Sequence, residues 1–189
     1  LSLLPSKGNP PPRIVETPSG MLNSIGLENI GLEAFLADKL PKLRRVGARV
    51  VVNFYGSRRE DYRELASRLD GVEGVHALEM NISCPNVERG GVLIGQEPTE
   101  VHRTVAAVRG ATRLPLLVKL TPNVTDIRLT ARAAAEAGAD ALTLINTLQG
   151  MAVDVETRRP ALARVVGGLS GPAIRPVRCR TGLPSRRSR

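Results

Sequence analysis

The sequence predicts an α/β fold built around a parallel sheet, and three observations predict it. From Arg49 onward, short apolar runs alternate with stretches of helical period. Their spacing suits βα units of about 30 residues joined by right-handed crossovers. Polar residues then recur at the carboxyl ends of the apolar runs, where loops leaving parallel strands converge on one crevice.

Taken in order, residues 1–20 are rich in Pro, Gly and Ser, with Gly8-Asn9-Pro10-Pro11-Pro12 in their midst, and read as an irregular or polyproline-like surface loop. Met21-Leu22-Asn23-Ser24-Ile25-Gly26-Leu27 is an apolar stretch broken by polar residues. Leu32, Phe35, Leu36, Leu40 and Leu43 recur at helical spacing ahead of a basic end, so a helix is expected over 31–45, interrupted at Pro41. Four strands follow at 50–54, 77–82, 116–120 and 141–145, each nearly continuous in apolar residues, with helices at 60–69, 99–108 and 126–137. Residues 167–174 form a glycine-rich turn leading into a helix, a weak sign of phosphate or cofactor contact because a plain mobile loop looks the same. Residues 178–189 have no apolar periodicity and read as a disordered basic tail.

Composition removes several function classes. The formal charge of +9 suggests nucleic acid until it is located: six of the 27 basic residues fall in 175–189 with no acid, leaving 21 basic against 18 acidic residues elsewhere. With aromatics at 2% there is no stacking platform for single strands, so a nucleic-acid partner is not expected. Cys84 and Cys179 are the only cysteines, too few for a disulfide framework or a zinc set, and a reducing cytoplasm is the expected compartment with no metal. No apolar run approaches the roughly 20 residues of a membrane span.

The chemistry concentrates in Leu78-Glu79-Met80-Asn81-Ile82-Ser83-Cys84-Pro85-Asn86-Val87. Pro85 ends the strand and holds Cys84 extended, so the thiol is presented at a strand tip. A lone cysteine is more often inert core filler. Its neighbours Asn81, Ser83 and Asn86 argue otherwise, since burying their polar groups unpartnered would cost about 1–3 kcal/mol each. Asn53, Lys119 and Asn146-Thr147 lie at the ends of the other strands, around the same mouth. Each alone reads equally well as a strand terminator. Lys119, bracketed by Leu117, Val118 and Leu120, must either snorkel to the surface or meet an anion.

At Asn81-Ile82-Ser83-Cys84-Pro85-Asn86 the chain resembles the dihydroorotate dehydrogenases, most closely the bacterial class that passes electrons to NAD through an iron–sulfur flavoprotein partner. The resemblance runs from about Gly8 to Pro176, through 16–27, 118–126, 137–150 and 167–176. It implies an FMN-binding (β/α)8 TIM barrel that oxidises dihydroorotate to orotate in pyrimidine biosynthesis, working as a homodimer with an iron–sulfur/FAD subunit. Carried over by position, it implies that Cys84 is the base and that Asn23, Ser24, Ile25, Gly26, Leu27, Asn81, Asn146 and Thr147 contact substrate. Asn53, Asn81, Lys119, Ile145 and Gly171 would contact the flavin.

The resemblance also implies what is missing. The family's first two strands, with a lysine that touches substrate and flavin, would precede Leu1. Its last two strands, with the glycine pairs that hold the flavin phosphate, would follow Val177. The expectation is therefore a partial barrel over 1–177 with about four of the eight parallel strands, no phosphate site, and no activity of its own. A related flavin barrel acting on dihydropyrimidines and a non-functional gene remnant are the competing readings.

Overall fold

The computed structural model describes residues 1–83 and 94–182. The chain opens with an antiparallel hairpin, β1 (Ile14–Thr17) and β2 (Gly20–Asn23). Next come α1 (Gly31–Ala34), a π-helical turn (Phe35–Lys39) and α2 (Leu40–Arg45). The βα alternation begins at β3 (Val50–Phe54), α3 (Arg59–Leu69), β4 (Val75–Asn81) and α4 (Pro98–Arg109). It continues through β5 (Leu116–Lys119), α5 (Ile127–Glu136) and β6 (Ala141–Thr143). Short strands β7 (Leu148–Gly150), β8 (Val153–Asp154), β9 (Arg159–Pro160) and β10 (Gly167–Ser170) precede a 3₁₀ turn and α6 (Arg175–Gly182).

The expected parallel sheet is present, with strand order β3-β4-β5-β6 and every pairing parallel. Its helices form for the reasons the sequence suggested. In α3, Tyr62, Leu65, Ala66 and Leu69 bury one stripe at helical spacing, and the Asp61 carboxylate accepts from the Ser57 and Arg58 amides ahead of the first turn. Pro98 opens α4, where a missing N–H costs nothing, and Val101, Thr104, Val105 and Val108 face inward. Asp126 caps α5, accepting from the Arg128 amide at 3.0 Å. These helices pack on one face of the sheet, against Val52, Phe54, Leu78, Met80, Leu116 and Val118.

Because side chains alternate along a strand, the opposite face carries Asn53, Glu79, Asn81, Lys119 and Thr143. Glu79 ties three strands together there, accepting from Asn53 Nδ2 at 2.5 Å and from Thr143 Oγ1 at 2.7 Å. Asn81 and Lys119 are partners in the β4–β5 register. Farther back, His76 Nδ1 accepts from the Val50 amide at 3.1 Å where the β3–β4 register shifts, which gives that histidine a structural role.

Several expectations are corrected. The expected helix over 31–45 contains a π turn, in which the Leu40 amide bonds Phe35 O; Pro41 has no N–H to continue the regular ladder, and the turn absorbs the mismatch. The strand expected to reach Ile145 ends at Thr143. Residues 14–17, expected in a surface loop, and 167–170, expected in a turn, are both strands of a second sheet, antiparallel in the order β1-β2-β10-β7. Residues 178–182 of the expected irregular tail belong to α6.

Candidate active site

The second sheet stands beside the carboxyl ends of the parallel strands, and a cavity of about 400 Å³ lies between them. Its walls bring together Asn23, Ser24, Ile25, Gly26, Leu27, Asn81, Lys119, Asn146 and Thr147, nine of the expected site residues. Asn53, Ile145 and Gly171 do not line it. Asn53 is engaged with Glu79, and Ile145 packs against the core. Gly171 follows β10 at φ 108°, where a side chain would meet the Gly20 backbone. Cys84, with Pro85 and Asn86, lies outside the described residues.

Backbone bonds hold the loop after β2 in place. The Asn9 amide bonds Ile25 O at 2.9 Å, the Ser24 amide bonds Arg13 O at 2.8 Å, and Asn9 Nδ2 bonds Ser24 O at 2.7 Å. Leu27 sits at φ 60°, a left-handed conformation rare for a branched side chain. Its carbonyl accepts from Asn29 Nδ2 at 2.9 Å, a bond that helps fix it there. Ser24 is buried, yet its hydroxyl has no hydrogen-bond partner among the described residues. An orphaned hydroxyl on a cavity wall is a site for a ligand atom.

The carboxamides are oriented by their own neighbours. Asn81 Oδ1 accepts from the Ser83 hydroxyl at 2.6 Å and the Ser83 amide at 3.1 Å, which leaves Asn81 Nδ2 as a donor for the cavity. Asn146 is oriented the other way: its Nδ2 donates to Ser83 O at 3.0 Å, which leaves Oδ1 as an acceptor. Asn23 Nδ2 points to Gly168 O at 3.4 Å, so its Oδ1 is a second acceptor. Lys119, half-buried, makes no ion pair or side-chain hydrogen bond with any described residue. A flavin fits that lysine, because a cation without a counter-charge suits a ring that gains negative charge on reduction.

Six cavity residues escaped the sequence reading: Asn9, Glu28, Asn123, Gln149, Arg164 and Val166. Asn123 is spoken for on every polar atom. Its Nδ2 donates to Thr147 O at 3.1 Å and Thr121 Oγ1 at 3.2 Å, while Oδ1 accepts from the Gln149 amide at 3.0 Å. It stitches the loop after β5 to the one that carries Asn146 and Thr147. No local signal marks it, since an asparagine after a proline is an ordinary turn residue. Asn9 sits in the stretch read as a bland loop.

Fold and site together define an α/β protein of the partial-barrel kind, with a carboxamide-lined ligand cavity at the strands' carboxyl ends. A family profile described as dihydroorotate dehydrogenase matches residues 1–181, and the chain belongs to that family. Curated relatives named dihydroorotate dehydrogenase B (NAD(+)), catalytic subunit, are similar across 95% of this chain. That of Pelobacter propionicus is 60% identical, that of Citrifermentans bemidjiense 59% and that of Geobacter sulfurreducens 58%. The chain spans 59% of the length of each.

Proposed function

We propose that this chain carries the substrate site of an enzyme that oxidises dihydroorotate to orotate in pyrimidine biosynthesis. The observation that supports it is the paired orientation of Asn81 and Asn146, one offering a donor and the other an acceptor to the same cavity. A cyclic imide presents C=O and N–H groups side by side along its edge, and this pair answers both. The orphaned Ser24 hydroxyl and the Asn23 carbonyl oxygen add one versatile contact and one acceptor.

Oxidation removes a proton and a hydride from neighbouring ring carbons. Cys84 is the base in this reading, its thiolate taking the carbon-bound proton; the ordinary thiol pKa of about 8.5 falls beside positive charge. Flavin mononucleotide, when bound, would supply the hydride acceptor. Lys119 and Asn81 would hold the flavin ring from the cavity wall, Lys119 with a positive charge beside it; Asn53, Ile145 and Gly171, which lie off that wall, are the further flavin contacts that the family resemblance implies. The asparagines hold the substrate's edge so that its reacting carbons face base and acceptor together. A homodimer, an iron–sulfur/FAD partner subunit and a cytoplasmic location go with this reading. Among the described residues no helix is long and apolar enough to cross a membrane.

The test is calorimetric titration of the 189-residue chain with orotate. Binding is expected, and Ser24→Ala is expected to weaken it by about 5- to 100-fold, the equivalent of one lost hydrogen bond to a buried polar group. A chain that folds and ignores orotate overturns the proposal.

A further inference from the structure

Tyr62 puts a hydroxyl where α3 needs only apolar surface. It shares the buried stripe of Leu65, Ala66 and Leu69 on the helix-covered side of the parallel sheet, and its ring meets Phe54 edge-on with centroids 6.1 Å apart. A phenylalanine would fill that space. The tyrosine hydroxyl instead donates to Asn81 O at 2.9 Å, on the last residue of β4.

From Asn81 the bonding runs on into the cavity wall. Asn81 Oδ1 is held by the Ser83 hydroxyl and amide, and Ser83 O in turn accepts from Asn146 Nδ2 at 3.0 Å. Asn81 and Ser83 are both buried, and Ser83 lies past the end of β4, where the strand ladder no longer sets the backbone. Because a peptide unit is planar, a bond on the carbonyl of the strand's last residue fixes the plane from which the next segment leaves.

We propose that Tyr62 is a positioning residue of the site: through the Asn81 peptide it sets the direction of both carboxamides, the donor of Asn81 and the acceptor of Asn146. The inference deepens the function proposed above and rests on it for the identity of the ligand. Tyr62 does not line the cavity, so it reaches a ligand through Asn81.

Tyr62→Phe, Asn81→Ala, the double variant and Thr104→Val are compared with the unaltered 189-residue chain by calorimetric titration with orotate and by amide hydrogen exchange. Thr104 is the control, since its buried hydroxyl donates to Glu100 O at 2.8 Å within α4, away from the cavity wall. Tyr62→Phe keeps the ring and is expected to weaken orotate binding by about 2- to 10-fold, the worth of one hydrogen bond, with no further loss where Asn81→Ala is already present. The Ser83 amide, which donates to Asn81 Oδ1, is expected to exchange about 2- to 10-fold faster in Tyr62→Phe relative to the Leu78 amide within β4, and at an unchanged ratio in Thr104→Val. A Ser83-to-Leu78 ratio unchanged by Tyr62→Phe overturns the inference, as do orotate losses that simply add in the double variant or an equal loss in Thr104→Val. Failure of the unaltered chain to bind orotate overturns the function proposed above instead, and the Ser83 ratio then decides by itself whether Tyr62 sets the carboxamides.

Discussion

Asn81 has one amide face committed to Ser83 and one turned to the cavity, so its substitution separates shape from hydrogen bonding. Asn81→Asp keeps the shape but replaces the donor with a second acceptor and a charge. Orotate affinity is expected to fall by about tenfold or more in calorimetric titration, and an unchanged value would remove Asn81 from the site. Cys84 and Lys119 are tested in a chain extended to a complete barrel. Cys84→Ala is expected to lower dihydroorotate oxidation by about 10²- to 10⁴-fold in stopped-flow flavin bleaching while flavin stays bound. Lys119→Ala is expected to weaken flavin binding and move its reduction potential downward, because the reduced ring loses its counter-charge. Potentiometry that shows no change returns Lys119 to the role of a snorkelling lysine.

At the scale of elements, the end of α5 is set by a titratable group. The Arg128 guanidinium beside Asp126, helped by the Arg128 amide, brings the Asp126 carboxyl down to about 2. Since its folded value lies below the ordinary carboxylate value of about 3.9, its contribution is whole above that value and disappears as pH falls toward 2. Asp126→Asn should therefore flatten the melting temperature's dependence on pH between about 4 and 2. Gly168 tests the second sheet: a Cβ there would lie 2.0 Å from Thr147 Oγ1, so Gly168→Ala should push β10 away from the loop carrying Thr147. A loss of about 1–3 kcal/mol in denaturant unfolding, together with weaker orotate binding, is the expected result. The βα units were legible because Val50–Phe54 and Leu116–Lys119 are apolar runs flanked by amphipathic helices. The antiparallel sheet was not, since Gly167-Gly168 and the Pro/Gly-rich start of the chain carry turn residues; β1 takes strand form in a local hairpin with β2, and β10 by pairing with β2 across the fold. The site was legible where polar residues end strands, as at Asn81 and Lys119. It was illegible at Asn9 and Arg164, which the second sheet's connections bring to the cavity, and at Asn123, which reads as an ordinary turn residue after β5.

The whole molecule has an uncovered inner face. Val51, on the side of the parallel sheet away from its helices, is 51% exposed, and Ala141 at the other edge is exposed too. Among the described residues β3 pairs as a strand only with β4 and β6 only with β5; Leu1 bonds the end of β3, its amino group donating to Asn53 O at 2.7 Å and its carbonyl accepting from the Tyr55 amide at 2.9 Å, but neither edge has a second strand. The 189-residue chain by itself is therefore expected to run larger than a monomer in light scattering. It should quench little flavin fluorescence and show no dihydroorotate-dependent dye reduction; a yellow protein with turnover would contradict this. The cavity wall also sets an order of events. Asn23 meets Gly168 across 145 residues of chain, whereas the β3–β6 sheet is assembled from neighbours in sequence. During synthesis the ribosome releases the parallel layer well before β10 emerges, so the binding wall must close last, against a sheet already formed. In pulse-labelled hydrogen exchange, the amides of Leu22 and Leu169 should gain protection after those of Leu78 and Val118.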